Sequence, residues 1–541
     1  MRRIARLTLA ALAAAATPAA AQAGPAAADT LWQHGGVCYE VFVRSFQDSN
    51  GDGIGDINGL IQKLDYINDG NPASRRDLGA QCIWLMPVAE SPSYHGYDVS
   101  NYYRVEPDYG TNDDFKRLVA EAHRRGIKVL VDMVLNHASS EHPYFQAALR
   151  DPSSPYRGWF RFSDSIQGKG PWGGDAWHKS PVRNEYYYGV FWSGMPDLNY
   201  QTPAVRDEAN KVADYWLREM GVDGFRLDAV PYLVEEGTQL AGSPGTHQLL
   251  RDYAAHIRSV NPNAWTVGEV WDSTTAMMAY YPDQLTSYFP FEVSDSLLAA
   301  VKNGNARNLL RGYLRLQQSL PGNRYSPFQR NHDQTRTLTV LGGDMAKARV
   351  AATLLLTLPG LPFVYYGEEI GMMGDKPDER LRTPMQWTRG AGGGFTTGKP
   401  WQALQADSMT TTVAAQDADS GSLLNLYRTL IHLRARNPAL ARGELVPLTT
   451  GNDAVAAYLR REGDRAVLVV ANLGSAPARN VAVSSAGQVL APGGYATVAL
   501  VGGRATARMV VGPGGAITGY VPFPTLAPMQ VSVLELAPPT R

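Results

Sequence analysis

Eight short apolar strands alternating with helices place residues 36–435 in a (β/α)8 TIM barrel of the α/β class, with a loop-rich subdomain inserted after the third strand and a β-sandwich at the C-terminal end. Three observations predict this. The strands are nearly unbroken apolar runs, the pattern of parallel strands covered on both faces. The segments between them carry helix start and stop residues. Four strand ends carry acids or imidazoles, and in such a barrel the C-terminal strand ends share one mouth.

Residues 1–23 read as an export signal. Arg2, Arg3 and Arg6 precede an Ala/Leu run, and Ala21-Gln22-Ala23 is an A-x-A cleavage site. The run is short and is broken by Pro18, which argues against a membrane span. No Cys follows it, which argues against a lipid anchor. The expectation is an exported protein, periplasmic or extracellular, with no membrane residence. Loss of the three signal arginines takes the formal charge from −1 to −4, which gives no reason to expect a nucleic-acid partner. Eleven Trp and 27 Tyr supply aromatic faces with polar edges, of the kind that suits sugar rings.

The first strands are expected at Val37–Val43, Gln81–Met86 and Ile127–Val131. Before the third, Thr111 or Asn112 caps a helix, Asp113 and Asp114 suit its first turn and Gly126 stops it. Phe115, Leu118, Val119 and Ala122 share one face. Residues 138–200 are rich in Trp, Tyr, Gly and Pro without a clear helical period, and form the expected inserted subdomain. Thr202-Pro203 opens a helix that Gly221 ends. The fourth strand then runs to Asp228, and later strands are expected at Trp265–Gly268, around Tyr288-Phe289, at Tyr325–Gln329 and at Pro362–Tyr366. The barrel is thus assigned to 32–137 and 201–438. From 439 to 541, Ala454–Leu459, Arg465–Asn472 and Gln530–Leu536 read as strands of the sandwich. Cys38 and Cys82 fall near the starts of the first two strands, where a disulfide and two buried thiols are both open.

The acids carry the chemistry. Asp228 and Glu269 end adjacent strands, within reach of the ~5–5.5 Å separation used by retaining glycosidases. Arg226, on the same side of its strand, is placed to keep Asp228 ionised. Glu269, desolvated near other negative groups, is expected to start protonated. Asp333 follows His332 at another strand end. An Asp at a strand end is more often a helix cap or an ion-pair partner, so it is the joint pattern that argues for hydrolysis of a glycoside.

Asp132-Met-Val-Leu-Asn-His137, Gly224-Phe-Arg-Leu-Asp228, Gly268-Glu269-Val-Trp and Asn331-His332-Asp333 resemble, in order and spacing, the four sequence regions of glycoside hydrolase family 13, the α-amylase family. The resemblance covers roughly residues 32–540. It implies Asp228 as nucleophile, Glu269 as acid/base and Asp333 as transition-state stabiliser. It also implies that His137 and His332 bind sugar hydroxyls, with Arg226 orienting Asp228. Tyr97 and Asp98 would form the floor of the same subsite, and Arg382, in Arg382-Thr-Pro-Met-Gln-Trp387, would wall off the pocket.

Asp48-Ser-Asn50-Gly-Asp52-Gly-Ile54-Gly-Asp56 follows a calcium-loop template through position 9, with Gly59 instead of Glu at position 12. It resembles the loop of the family's oligosaccharide-cleaving branch, which implies a structural Ca2+ held by Asp48, Asn50, Asp52, the Ile54 carbonyl and Asp56. The bland alternative is a metal-free chain of Asx turns. Met195-Pro-Asp-Leu-Asn199 resembles the family's fifth region in an intermediate form. Ala229 after the nucleophile favours α-1,4 bonds, and Pro231-Tyr232 replaces the Lys-His of many amylases. The resulting expectation is a monomeric retaining hydrolase of α-1,4-glucans and maltooligosaccharides. The alternatives are an exo-acting α-glucosidase, a transglycosylase such as trehalose synthase, or a non-catalytic carbohydrate binder. Presence of all three acids argues against the last.

Overall fold

The computed structural model describes residues 32–537; the expected export signal lies outside them. Its centre is a curled parallel sheet of β1 (Cys38–Val41), β2 (Cys82–Leu85), β3 (Lys128–Met133), β4 (Gly224–Leu227), β5 (Trp265–Gly268), β6 (Ser287–Tyr288) and β7 (Phe363–Tyr365). The order across it is β6-β5-β4-β3-β2-β1-β7, so each strand from β1 to β6 lies beside its successor and β7 returns beside β1. Seven strands form where eight were expected. The segment 325–329 closes the gap as a single bridge, Phe328 to Phe363. Ser326 N donates to Tyr288 O at 3.0 Å and Phe363 N to Pro327 O at 2.8 Å, which joins β6 to β7. Pro327 has no N–H to give the ladder, which explains why this segment stops short of a full strand.

The helix before β3 spans Asn112–Arg124, with Thr111 and Asp114 forming a reciprocal capping box. Phe115, Leu118, Val119 and Ala122 are its buried residues. The helix opened by Pro203 is α-helical to Asp214 and then widens into a π-turn over Tyr215–Glu219. Trp216 is buried there and its indole N–H donates to Tyr102 O at 2.9 Å.

Between β3 and β4 the insertion contains a helix, Pro143–Arg150, that its composition concealed. The ring of His142 caps it by accepting from Tyr144 N at 3.1 Å. A three-stranded antiparallel sheet follows, with Phe162–Ser163 and Trp177–Lys179 flanking Tyr186–Tyr188. The insertion rejoins the barrel where His137 pairs with Asp197. Beyond residue 443, six antiparallel strands and a two-stranded ribbon enclose a separate core containing Leu459, Leu468, Val483, Phe523 and Leu534. The sequence reading missed the strands at Glu444–Leu448, Gly493–Val501 and Met509–Val511. Pro447, four Gly/Ala positions in the second and the brevity of the third weaken the alternation it relied on.

Cys38 and Cys82 are joined. They are register partners at the first residues of β1 and β2, with Cα atoms 4.3 Å apart. Among the described residues no helix is long and apolar enough to cross a membrane.

Candidate active site

The site is built outward from one guanidinium. β4 runs between β3 and β5, and Arg226 is register partner of Asp132 on one side and Val267 on the other. Gly224 permits the strand's tight entry: a Cβ there would lie 1.9 Å from the Trp265 carbonyl oxygen. Side chains alternate along a strand, so Arg226 and Asp228 project to the same side. Arg226 is fully buried, with its guanidinium 5.2 Å from the Trp84 ring centroid. It reaches three carboxylates. Nη1 lies 2.8 Å from Asp132 Oδ1 and 2.7 Å from Asp228 Oδ1, and Nη2 lies 2.8 Å from Glu269 Oε2. Its pairing is therefore wider than the Asp228 contact read from sequence.

Glu269 leaves β5 after Gly268, where a Cβ would meet the Tyr288 ring at 2.5 Å. Its Oε2 accepts from Ala229 N at 3.1 Å. That N–H is aimed by a left-handed backbone at Ala229, φ 48°, which is unusual for a residue with a Cβ. Burial raises the Glu269 pKa to about 7; Arg226 opposes the rise, while Asp228 and Asp333 add to it. Burial likewise outweighs Arg226 at Asp228 and raises its pKa to about 6. Arg226 thus moderates the shift at Asp228 without reversing it.

Asp333 is the opposite case. Burial works against its charge, but His332 and Arg382 hold it well below the usual carboxylate range. His332 Nε2 is 3.0 Å from Asp333 Oδ2, and Arg382 Nη2 donates to Asp333 Oδ1 at 2.8 Å. His332 Nδ1 meets Glu40 Oε1 at 2.6 Å. Burial disfavours the imidazolium, yet Asp333 and Glu40 together lift the His332 pKa to about 9, so this ring is a cation at neutral pH. His137 is its contrast: burial lowers its pKa to about 4, and Nε2 faces the Tyr97 carbonyl at 3.0 Å.

A cavity of about 710 Å³ opens over these groups, lined by Tyr97, His137, Asp228, Glu269, Asp333 and Arg382 among others. Arg226, His332 and Asp98 lie behind its wall. Asp98, expected on the subsite floor, accepts through Oδ1 from Ser91 Oγ at 2.7 Å and from Ser93 Oγ. The Tyr97 hydroxyl bridges Asp132 at 3.0 Å and His332 Nε2 at 2.6 Å, and its ring stacks on His332 at 5.6 Å. Sequence reasoning assigned no role to Asp132 or Glu40. A charged residue inside the apolar run Val37–Val43 was the available signal for Glu40. The exposed aromatics of the rim, Trp172, Phe191, Trp192 and Trp271, were also missed. They come from irregular loops, where periodicity says nothing about direction.

The proposed metal loop stands apart from the cavity. Its donors are all oxygens, a chemistry that suits Ca2+. In the structure Asp48 accepts from Asn50 N, Gly51 N, Gly53 N and Thr396 Oγ1, and Asp56 from Ser49 and from Gly59 N as a helix cap. Asn50 and Asp52 each accept from the backbone N–H two residues on. Among the described residues no three acid, His or Cys side chains converge as metal ligands. Calcium binding therefore has to trade some of these hydrogen bonds for metal–oxygen bonds.

Residues 40–443 match the family model "Alpha amylase, catalytic domain". The chain belongs to the α-amylase family. Within it, the chain is 38% identical over 447 residues to alpha-amylase 3 of Dictyoglomus thermophilum, covering 82% of this chain and 85% of that one. It is 35% identical over 517 residues to the trehalose synthase/amylase of Mycobacterium tuberculosis, covering 83% of each. Among solved structures, the alpha-amylase from H. orenii superimposes with a TM-score of 0.81 at 39% identity, covering 93% of this chain and 99% of that one. The family's barrel architecture and glycosidase chemistry thus apply here, while these relatives divide between hydrolysis and synthase names.

Proposed function

We propose that this member of the α-amylase family is a retaining hydrolase of α-1,4-glucans and maltooligosaccharides. One observation carries the reading: Asp228 and Glu269 flank one guanidinium at one cavity, Nη1 2.7 Å from Asp228 and Nη2 2.8 Å from Glu269, and burial raises both pKa values, to about 6 and about 7. Between those two values the pair as a whole holds about one proton, as double displacement requires. Asp228 attacks the anomeric carbon while Glu269 gives its proton to the departing oxygen. A covalent glucosyl–Asp228 ester results. Water then attacks the same carbon, Glu269 recovers a proton and the ester bond breaks. The anionic Asp333, between His332 and Arg382, favours the positively charged transition state.

A second reading, exo-action with transfer to sugars, draws on the wall beside Asp333. Arg382 binds Asp333, Asp378 lies 3.3 Å from Arg382, and Lys376 pairs with Asp378. Such a charged barrier suits a pocket that takes chain ends. Product chromatography on starch, maltose, sucrose and trehalose separates the two: early mixed-length oligomers from starch support endo-hydrolysis, and glucose alone supports exo-action. Failure to cleave any α-glucan would sink both.

The same reading includes export and a structural Ca2+ in the Asp48–Asp56 loop. The Cys38–Cys82 disulfide supports the former, since such bonds persist in oxidising compartments. Donor type and spacing support the latter.

A further inference from the structure

Glu40 is an acid at a position that suits an apolar side chain. It alternates with Tyr39 and Val41, so it faces the same side of β1 as Cys38. Cys38 belongs to the barrel's interior core, with Trp84, Leu130, Val267, Phe289 and Phe363. Glu40 is buried and is the register partner of Trp84 on β2 and of Tyr365 on β7. Burial raises its pKa, and the hydrogen bond to His332 offsets only part of the rise. Leu or Val would complete the packed interior without that desolvation cost.

The carboxylate touches one nitrogen of a ring that is held on two sides. His332 is fully buried; the Tyr97 ring stacks on it at 5.6 Å and 14°, and Trp84 meets it edge-on at 5.6 Å. His332 Nδ1 faces Glu40 Oε1 at 2.6 Å, while Nε2 faces Asp333 Oδ2 at 3.0 Å and Tyr97 Oη at 2.6 Å. Ionised carboxylates only accept, so both acids are served when each ring nitrogen carries a hydrogen. Burial disfavours that cation, and Asp333 and Glu40 overcome it. Tyr97 Oη also receives Arg226 Nη1 at 3.3 Å, which leaves the hydroxyl hydrogen for Asp132 Oδ2 at 3.0 Å. The ring is thus faced by Glu40 from β1, Tyr97 from the loop after β2, Asp132 from β3 and Arg226 from β4. Asp333 follows it in the chain, and Arg382 Nε donates to its carbonyl at 3.1 Å.

We propose that Glu40 is a positioning residue for the glycosidase: its charge, set against Nδ1, keeps a hydrogen on both nitrogens of His332 and so keeps Nε2 a donor to Asp333. This rests on the role given to Asp333 in the reading above. Without that charge, a neutral ring with its hydrogen on Nδ1 turns the Nε2 lone pair toward Asp333. The Asp333 carboxylate then keeps Arg382 but loses its second cationic partner, and the Tyr97 hydrogen is drawn from Asp132 to Nε2.

The test is Glu40→Gln, which keeps the shape and an oxygen for Nδ1–H while removing the charge. Its kcat/KM on maltotriose is expected to fall about 10²-fold below that of the unaltered chain at pH 7.5, the scale on which a reacting group loses its orienting partner. Removing a negative neighbour lowers the His332 pKa, so the cation returns as pH falls, and the deficit is expected to shrink to about tenfold or less by pH 5. A residue that only filled space would give a deficit that stays constant with pH. Nitrogen NMR spectra of protein labelled at histidine give a direct readout, with the His332 signals identified by their absence from His332→Asn. At pH 7.5 they are expected to show both ring nitrogens protonated in the unaltered chain and one bare in Glu40→Gln. A deficit below about threefold at pH 7.5, a deficit equal at pH 7.5 and pH 5, or a neutral His332 in the unaltered chain overturns the proposal. The last of these needs no folded Glu40 variant. No cleavage of maltotriose by the unaltered chain would instead defeat the hydrolase reading on which the proposal stands.

Discussion

At the scale of single residues, the chemistry depends on proton positions. Glu269→Gln keeps the shape of the side chain and removes its ionisation, so kcat is expected to fall by at least about 10³-fold while binding of maltooligosaccharides stays measurable. Near-normal turnover would remove Glu269 from the acid role. The pH dependence follows from the two raised carboxyls. Activity requires Asp228 ionised, so kcat/KM is expected to decline as pH falls through about 6. It requires Glu269 protonated, so kcat/KM is expected to decline again as pH rises through about 7. A narrow bell between these limbs is the expected profile, and a plateau from pH 5 to 9 would contradict it. The three acids were legible in the sequence because each sits in a recognisable block, Asp228 and Glu269 just past strand ends and Asp333 after the bridging segment 325–329. Their support was not: nothing in the local pattern shows that Glu40, at the far end of the chain from His332, lies beneath it.

At the scale of elements, the insertion and its junction decide how the cavity is walled. Arg161 Nη2 lies 2.5 Å from Glu235 Oε2, and its guanidinium sits 4.1 Å from the Tyr188 ring centroid. Asp197 is buried beside Glu235, and burial, with Glu235 next, pushes its pKa well above the usual range. One cation therefore serves two acids at the point where His137 pairs with Asp197. Arg161→Met is expected to cost about 2 kcal/mol, less than a fully buried pair because Arg161 keeps some solvent contact, read as a lower melting temperature. In the Asp48–Asp56 loop, the proposed Ca2+ makes a chelator lower the melting temperature; unchanged melting in a metal-free sample would leave only the Asx-turn account. Helix boundaries and faces were legible where caps and period coincided, as at Asn112–Arg124. The insertion's helix at Pro143–Arg150 was not, because its cap is an imidazole instead of a Ser, Thr, Asp or Asn.

At the scale of the whole molecule, a buried cation fastens the C-terminal sheet to the barrel and a second one ties barrel helices together. Arg460 of that sheet donates to Thr357 O of the barrel at 2.6 Å, while Arg434, buried within the barrel, donates to Leu356 O and Leu358 O. Burial lowers their pKa values to about 10 and about 9. The alternation of strand and helix revealed the barrel class, but these ties join residues some 75 to 100 positions apart and leave no periodic trace. The disulfide closes a loop of 44 residues, so replacing both cysteines with Ala is expected to cost about 4 kcal/mol in the chain-entropy model, checked by denaturant unfolding. Its position gives this cost a particular meaning. Cys38 and Cys82 open their strands, whereas Asp228 and Glu269 follow the ends of theirs. The barrel thus separates endurance from speed between its two poles. A mild reductant should shorten the protein's working lifetime on warming, while each surviving molecule turns over at its former pace.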